Sequence, residues 1–170
     1  AEDYPRFAAD PIAAKYLRPF RMGRDMIQGF DRWSLWMAES DFDPRDIKKS
    51  SLLYARVHAC QKKRNASKKK ATRESANTPY LFQEIRQPSE RYLAVPSVVA
   101  ETRDFYTVAH LDKKVIAGNK LYTAIDPDGF LFAIISSSMF MSWQKLVGGR
   151  LKSDLNFSNK IVWNTLPLPE

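Results

Sequence analysis

Residues 147–158, Val-Gly-Gly-Arg-Leu-Lys-Ser-Asp-Leu-Asn-Phe-Ser, hold the densest run of groups able to do recognition chemistry in this 170-residue chain. After the paired glycines the run alternates. As a single strand it projects Arg150, Lys152, Asp154, Asn156 and Ser158 to one face and Leu151, Ser153, Leu155 and Phe157 to the other. The first face mixes donors and acceptors in a set that matches the edges of base pairs. Arginine and lysine suit guanine O6 and N7, aspartate accepts from cytosine N4, and asparagine pairs with adenine N6 and N7. The plainer alternative is an exposed edge strand decorated with charge.

A second set of groups is purely electrostatic. The chain carries a formal net charge of +8. Residues 43–76 hold 11 Lys or Arg against 3 Asp or Glu, so the whole excess lies in this segment. Lys62, Lys63, Arg64, Lys68, Lys69 and Lys70 crowd it, and a localised excess of this kind attracts polyanions. The segment lacks the apolar face that an interfacial membrane helix needs. The plainer reading is a solvated, fraying helix.

Catalytic constellations are incomplete. Asn77-Thr78-Pro79-Tyr80 is one residue from the Asn-Pro-Pro-Tyr of amino-group DNA methyltransferases. The six glycines are not arranged as the turn that holds a methyl donor, so it reads as a helix-end turn. Asp112-Lys113-Lys114 resembles half of a magnesium nuclease pattern, but the Pro-Asp pair, Pro127-Asp128, follows it and reads as a turn and cap. His58 and Cys60 face different ways on a helix and, with His110, make no metal set. The single cysteine cannot form an internal disulfide, which suits a reducing cytoplasm. No apolar run approaches the roughly 20 residues of a membrane span, and the acidic, polar Ala1-Glu2-Asp3-Tyr4 does not resemble a signal peptide.

The elements that must position these groups follow from pattern. Asp10-Pro11 caps a short helix to Leu17. Phe20–Met22 is a short strand, residues 23–29 a turn with a helical turn in it, and Arg32–Met37 a strand buried on much of both faces. Asp43-Pro44 opens the longest helical pattern, whose stripe of Ile47, Leu53, Tyr54, Val57 and Cys60 fades beyond Cys60. Strands are expected at Tyr92–Val95, Phe105–Val108, Val115–Ala117 and Leu121–Ile125, with turns at Gly118-Asn119 and residues 126–129. Asp128 caps an apolar helix from Phe130 to about Leu146, burying Phe132, Ile135, Met139 and Trp143. Gly148-Gly149 ends it. Ile161-Val162-Trp163 closes the sheet before a Pro-rich tail through Pro169. The expected fold class is α+β: a mixed, largely antiparallel sheet with a long basic helix and a buried apolar helix, in one domain over 1–170.

Several motifs occur in order: Val95-Pro96, Glu101-Thr102-Arg103, residues 136–143 (Ser-Ser-Ser-Met-Phe-Met-Ser-Trp), residues 148–154 (Gly-Gly-Arg-Leu-Lys-Ser-Asp) and residues 164–169 (Asn-Thr-Leu-Pro-Leu-Pro). Lys15-Tyr16-Leu17-Arg18-Pro19-Phe20 and Arg32-Trp33-Ser34-Leu35-Trp36 precede them. As a set they resemble the target recognition domain of MmeI-type (type IIL or IIG, YeeA-like) restriction–modification methyltransferases, over nearly the whole chain. That resemblance implies a domain that chooses the DNA sequence for an S-adenosylmethionine-dependent adenine methyltransferase and a nuclease on the same polypeptide. It implies base contacts from Lys152 and Asp154, from Asn119 and Lys120, and from Ser97. Arg150 joins them from the strand argument, and the lysine-rich segment supplies phosphate contacts. The expectation is a recognition module for double-stranded DNA with no catalysis and no cofactor of its own, S-adenosylmethionine and Mg2+ belonging to other domains. The rival reading is a nucleic-acid-binding domain, for RNA or DNA, that uses the basic helix without sequence choice.

Overall fold

The computed structural model describes residues 2–168, so Pro169 of the expected tail lies outside the described residues. In chain order the elements are α1 (Tyr4–Ala9), a 3-10 turn (Ala13–Tyr16), β1 (Leu17–Arg21), α2 (Gly23–Gln28), β2 (Arg32–Leu35), α3 (Asp46–Lys49), α4 (Ser51–Asn65) and α5 (Lys70–Glu74). There follow β3 (Tyr92–Pro96), β4 (Val98–Val99), β5 (Ala109–Leu111), β6 (Ile116–Ala117), β7 (Leu121–Ala124), α6 (Phe130–Ile135), α7 (Ser138–Val147), β8 (Gly149–Leu151) and β9 (Asp154–Asn156). A π-helical turn spans Asn159–Trp163. The architecture is α+β, as expected. Among the described residues no helix is long and apolar enough to cross a membrane.

The chain divides into two compact units, one of residues 1–19 and 33–86, the other of residues 20–32 and 87–170. In the first, Phe7, Ala13, Tyr16, Met37 and Leu53 form the core. Asp10 organises its entrance. The carboxylate accepts from the amides of Ile12 (2.9 Å) and Ala13 (3.0 Å) and from the Ser50 hydroxyl (2.5 Å). The Ser50 hydrogen bond, with the Ala13 amide, holds Asp10 below the usual carboxylate range. The expected helix after Asp10 is thus a single 3-10 turn, and α1 precedes it.

The basic helix is shorter than its pattern. Asp43 makes a local turn by accepting from the Arg45 amide (2.9 Å) and does not open the long helix. The chain breaks at Ser50, which is extended (φ −112°, ψ 117°) and caps α4 by accepting from the Leu53 amide at 3.2 Å. Cap chemistry wins here because the Ser50 hydroxyl is also fixed by Asp10. Beneath the break lies buried Asp46, which accepts from Lys49 (2.9 Å), Tyr16 (2.9 Å) and Lys15 (3.3 Å). Those bonds outweigh burial and hold Asp46 down to about 2. At its far end α4 stops at Asn65, so Lys68 and Lys69 fall in the link to α5 rather than on a helix. β2 also stops early: Arg32 and Trp33 are exposed, and Trp36 and Met37 are buried beyond its end.

In the second unit every residue of β3 is buried. It pairs antiparallel with β5 (Leu93 opposite His110) and with β7 (Ala94 opposite Thr123). β9 pairs antiparallel with β4 and β8, and β1 runs parallel to β6 through Phe20–Ile116 and Arg21–Ala117. Leu93, Val95, Val99, Tyr106, Phe140, Met141, Leu155 and Phe157 belong to its core.

Three expectations in this unit are corrected. Residues 105–108 are not a strand. Tyr106 is instead a buried plug, its hydroxyl donating to the Pro96 carbonyl (2.7 Å) and its ring edge-on to Phe140. The apolar helix is broken in two, because Ser136 and Ser137 turn their hydroxyls onto the carbonyls of Phe132 and Ile134 (2.6 Å each). Ser137 then caps α7 by accepting from the Phe140 amide (3.1 Å). The restart shifts the helical phase. Ile135 stays buried, but Phe140, Met141 and Gln144 take the interior, while Met139 is 55% exposed. Residues 161–163 are helical, since Ser158 caps that turn through the Ile161 amide (3.3 Å) and overrides the strand preference of Ile-Val-Trp. The turn at 126–129 works much as expected. Asp128 accepts from the Phe130 amide (3.1 Å), and buried Asp126 from Leu131 (2.9 Å), Phe132 (3.1 Å) and His110 (2.8 Å).

Candidate nucleic-acid interface

The run after Gly149 is a hairpin rather than one strand. Leu151 pairs with Asp154, Arg150 with Leu155 and Gly149 with Asn156. Lys152 and Ser153 make the two-residue turn, and Lys152 has φ +58°, the one non-glycine positive φ among the described residues. Glycine is the usual occupant of such a first turn position. Directly opposed residues share a face, and neighbours along a strand alternate. Arg150 therefore lies on the side of buried Leu155, while exposed Leu151 shares its side with Asp154 and Asn156. The single polar face expected from alternation is replaced by a tip at which Lys152 and Asp154 sit close in sequence on either side of Ser153.

The tip is held from below. Arg150 reaches Glu101 (2.7 Å) and donates to the Ser153 carbonyl (3.3 Å). Glu101 stands in one of the ordered motifs, but nothing in its spacing signalled this partner. Gln144 on α7 is fully buried, and its side-chain amide donates to the Asn156 carbonyl (3.2 Å). A Cβ on Gly148 would lie 1.8 Å from the Gln144 Nε2, so glycine is what lets that side chain pass from helix to hairpin. This role of Gln144 was not visible in the sequence.

The remaining base-reading candidates converge on the other side of β9. The Ser97 amide donates to the Lys120 carbonyl, and the Phe157 amide donates to the Ser97 carbonyl, each at 2.9 Å. Immediately after Ser97, β4 pairs Val98 with Asn156 and Val99 with Leu155. Asn119 and Lys120 are exposed in the turn closed by Leu121 N–H to Gly118 C=O (2.9 Å). That turn is clamped at Gly118, whose amide donates to the Arg21 carbonyl (2.8 Å) and whose Cβ, if present, would meet Met22 Sδ at 2.2 Å. Ser97, Asn119, Lys120, Lys152 and Asp154 thus come from three chain segments joined by one backbone network.

The basic candidates belong to the first unit and are less alike than their charge suggests. Lys62 and Lys63 are exposed on α4, and Lys68 and Lys69 in the link; among the described residues none of them has an ion pair. Lys70 approaches Glu74 at 3.8 Å. Arg64 turns inward. Its guanidinium donates to the carbonyls of Ser75 (2.8 Å), Thr78 (3.0 Å) and Leu81 (2.6 Å). Asn77-Thr78-Pro79-Tyr80 is accordingly the helix-end turn that Arg64 fastens.

A family model described as the MmeI target recognition domain matches residues 2–170. The chain belongs to that family. DNA methyltransferase A of Bacillus subtilis (strain 168) is 31% identical to it over 160 residues, covering 94% of the chain and 18% of that relative. The solved structure of the Type IIL restriction–modification enzyme MmeI in complex with DNA superposes with a TM-score of 0.92 at 35% identity, over 99% of this chain and 22% of that one. The target recognition domain thus spans about a fifth of the length of either relative.

Proposed function

We propose that this target recognition domain selects a duplex DNA sequence for a restriction–modification adenine methyltransferase, acting as one recognition domain over 1–170. The observation that carries the reading is the backbone network through Ser97, which ties the three segments bearing the base-reading candidates to β9. The likeness to MmeI, solved with DNA, supports the same reading. Lys152 and Asp154 at the hairpin tip contact one base pair in the major groove, with Asn119, Lys120 and Ser97 contacting others. Arg150, held by Glu101 and the Ser153 carbonyl, supplies a further base contact. Lys62, Lys63, Lys68, Lys69 and Lys70 neutralise phosphates, which sets affinity rather than sequence choice. Arg64 helps by fixing the segment beside them.

In this reading catalysis lies elsewhere on the polypeptide. Methyltransferase and nuclease domains, with S-adenosylmethionine and Mg2+, do the chemistry in the cytoplasm, and the domain described here binds neither cofactor. The test is to exchange the tip charges in the full-length enzyme, Lys152→Glu with Asp154→Arg, and to map methylated sites in the host genome. The expected result is a changed base pair at one position, with discrimination on the order of 1–3 kcal/mol. Retained methylation at an unchanged sequence would remove the two residues from the reading edge. Equal binding to random duplexes and structured RNA would favour recognition without sequence choice.

A further inference from the structure

Helix α4 has two unlike sides. Leu53, Val57, Cys60 and Arg64 face the interior of their unit, and Leu53 is fully buried. About a third of a turn away, Tyr54, His58 and Lys62 are exposed at successive i, i+4 spacings, so they form one row along the helix. Tyr54 is 54% exposed, and its ring stacks on His58 with centroids 6.0 Å apart and planes 13° apart. Neither side chain makes a hydrogen bond among the described residues. Ala55 and Ala59 lie beside the row and leave room for a close approach. No acidic residue occurs anywhere between Ser51 and Asn65.

We infer that the Tyr54–His58–Lys62 row of α4 docks along the sugar–phosphate backbone of duplex DNA, with the Tyr54 hydroxyl and the His58 ring donating to phosphate oxygens. The inference rests on the DNA-reading function proposed above and extends it to two residues outside the lysine cluster. Three observations converge. The row consists of groups that can donate a hydrogen bond, and the helix lacks any carboxylate that would repel a polyanion. The row advances by about 6 Å per step along the axis, a stride comparable to that between successive phosphates of one strand. The mutual stack fixes the Tyr54 and His58 rings before binding, so little side-chain freedom is given up when DNA binds.

The experiment uses the purified 170-residue chain and duplexes of several sequences at a series of salt concentrations. The variants are Tyr54→Phe with His58→Leu, His58→Gln with Tyr54 intact, Lys62→Gln, and Lys152→Ala with Asp154→Ala. Both rings are solvent-facing, so circular dichroism is expected to show an unchanged fold. The Tyr54→Phe, His58→Leu chain is expected to bind every duplex about tenfold more weakly, as loss of hydrogen bonds to charged phosphates predicts. His58→Gln keeps a donor and recovers most of the affinity. Lys62→Gln flattens the slope of log affinity against log salt by about 0.9. Affinity within about twofold of the wild type for the double variant would overturn the inference, since removing charged hydrogen bonds costs more than that. If that result accompanies a loss of sequence preference in the Lys152, Asp154 variant, the DNA-reading function stands and only the α4 docking falls. Absence of duplex binding by the wild-type chain would overturn both. Binding of poly-glutamate that the double variant abolishes, with duplex binding intact, would assign the row to a protein partner and overturn it as well.

Discussion

Helix α4 presents Lys62 and Lys63 on long side chains with no ion pair among the described residues, whereas around β9 hydrogen bonds linking Ser97 to Lys120, Phe157 to Ser97 and Gln144 to Asn156 fix the backbone from several sides. The helix has much charge and little packing. Its one fully buried side chain is Leu53. The β9 region is built on packing: Leu155 and Phe140 of its core are fully buried. A flexible cation can follow any phosphate, but a base edge is read only by groups held at fixed positions. On the proposed function, the contrast between the two regions is one between affinity and selection.

The comparison breaks most visibly where the support is removed. Leu155→Ala deletes a side chain at the centre of the β4–β9–β8 sheet and is expected to cost about 2–5 kcal/mol. Chemical denaturation would measure it, and a loss below about 1 kcal/mol would deny β9 its supporting role.

Arg64 provides the next largest effect, inside the basic region itself. Arg64→Gln leaves the Ser75, Thr78 and Leu81 carbonyls without their donor and should destabilise the first unit by about 1.5–3 kcal/mol. Lys62→Gln with Lys63→Gln should leave stability unchanged and flatten the salt slope by about 0.9 for each phosphate no longer neutralised. Equal behaviour of the two variants would mean that Arg64 is another surface cation.

Acid sharpens the contrast from a third side. Asp46 is held at about 2 in the folded chain, against 3.8 as its ordinary value. Its contribution is present above the unfolded value, shrinks as pH falls below 3.8 and is lost once pH passes about 2. Asp46→Asn should be less stable than the wild type at neutral pH and should narrow that gap in strong acid. A pH-independent difference, followed by the fluorescence of the first unit's tryptophans, would contradict this.

The smallest effect is expected at the hairpin tip. A left-handed conformation costs a lysine about 1–2 kcal/mol, although the extra freedom of glycine in the unfolded chain offsets part of that. Lys152→Gly should therefore stabilise the hairpin by less than about 1 kcal/mol while removing its contribution to sequence choice. A thermal melt and a specificity assay on the same variant would separate the two. Stability falling on this change would show that the Lys152 side chain itself supports the turn.

Much was legible in the sequence because it was local. The Asp10 cap, the turns at Gly118-Asn119 and 126–129, the buried Tyr92–Val95 strand and the basic segment all depend on residues a few positions apart. The ordered motifs carried the family. The breaks at Ser50 and Ser136-Ser137 were missed because a hydroxyl competing for the backbone leaves the apolar period almost untouched. Alternation after Gly149 fitted one strand and a two-residue hairpin equally well, and the choice between them came from β4 and Gln144, which pair with the returning strand. The inward turn of Arg64 likewise needed carbonyls that only a folded 75–81 segment provides. Composition thus determined where the charge is and which residue types could read bases. Tertiary structure decided which of those side chains are free to do so, because the partners that fix a group are distant in the chain and meet only on folding.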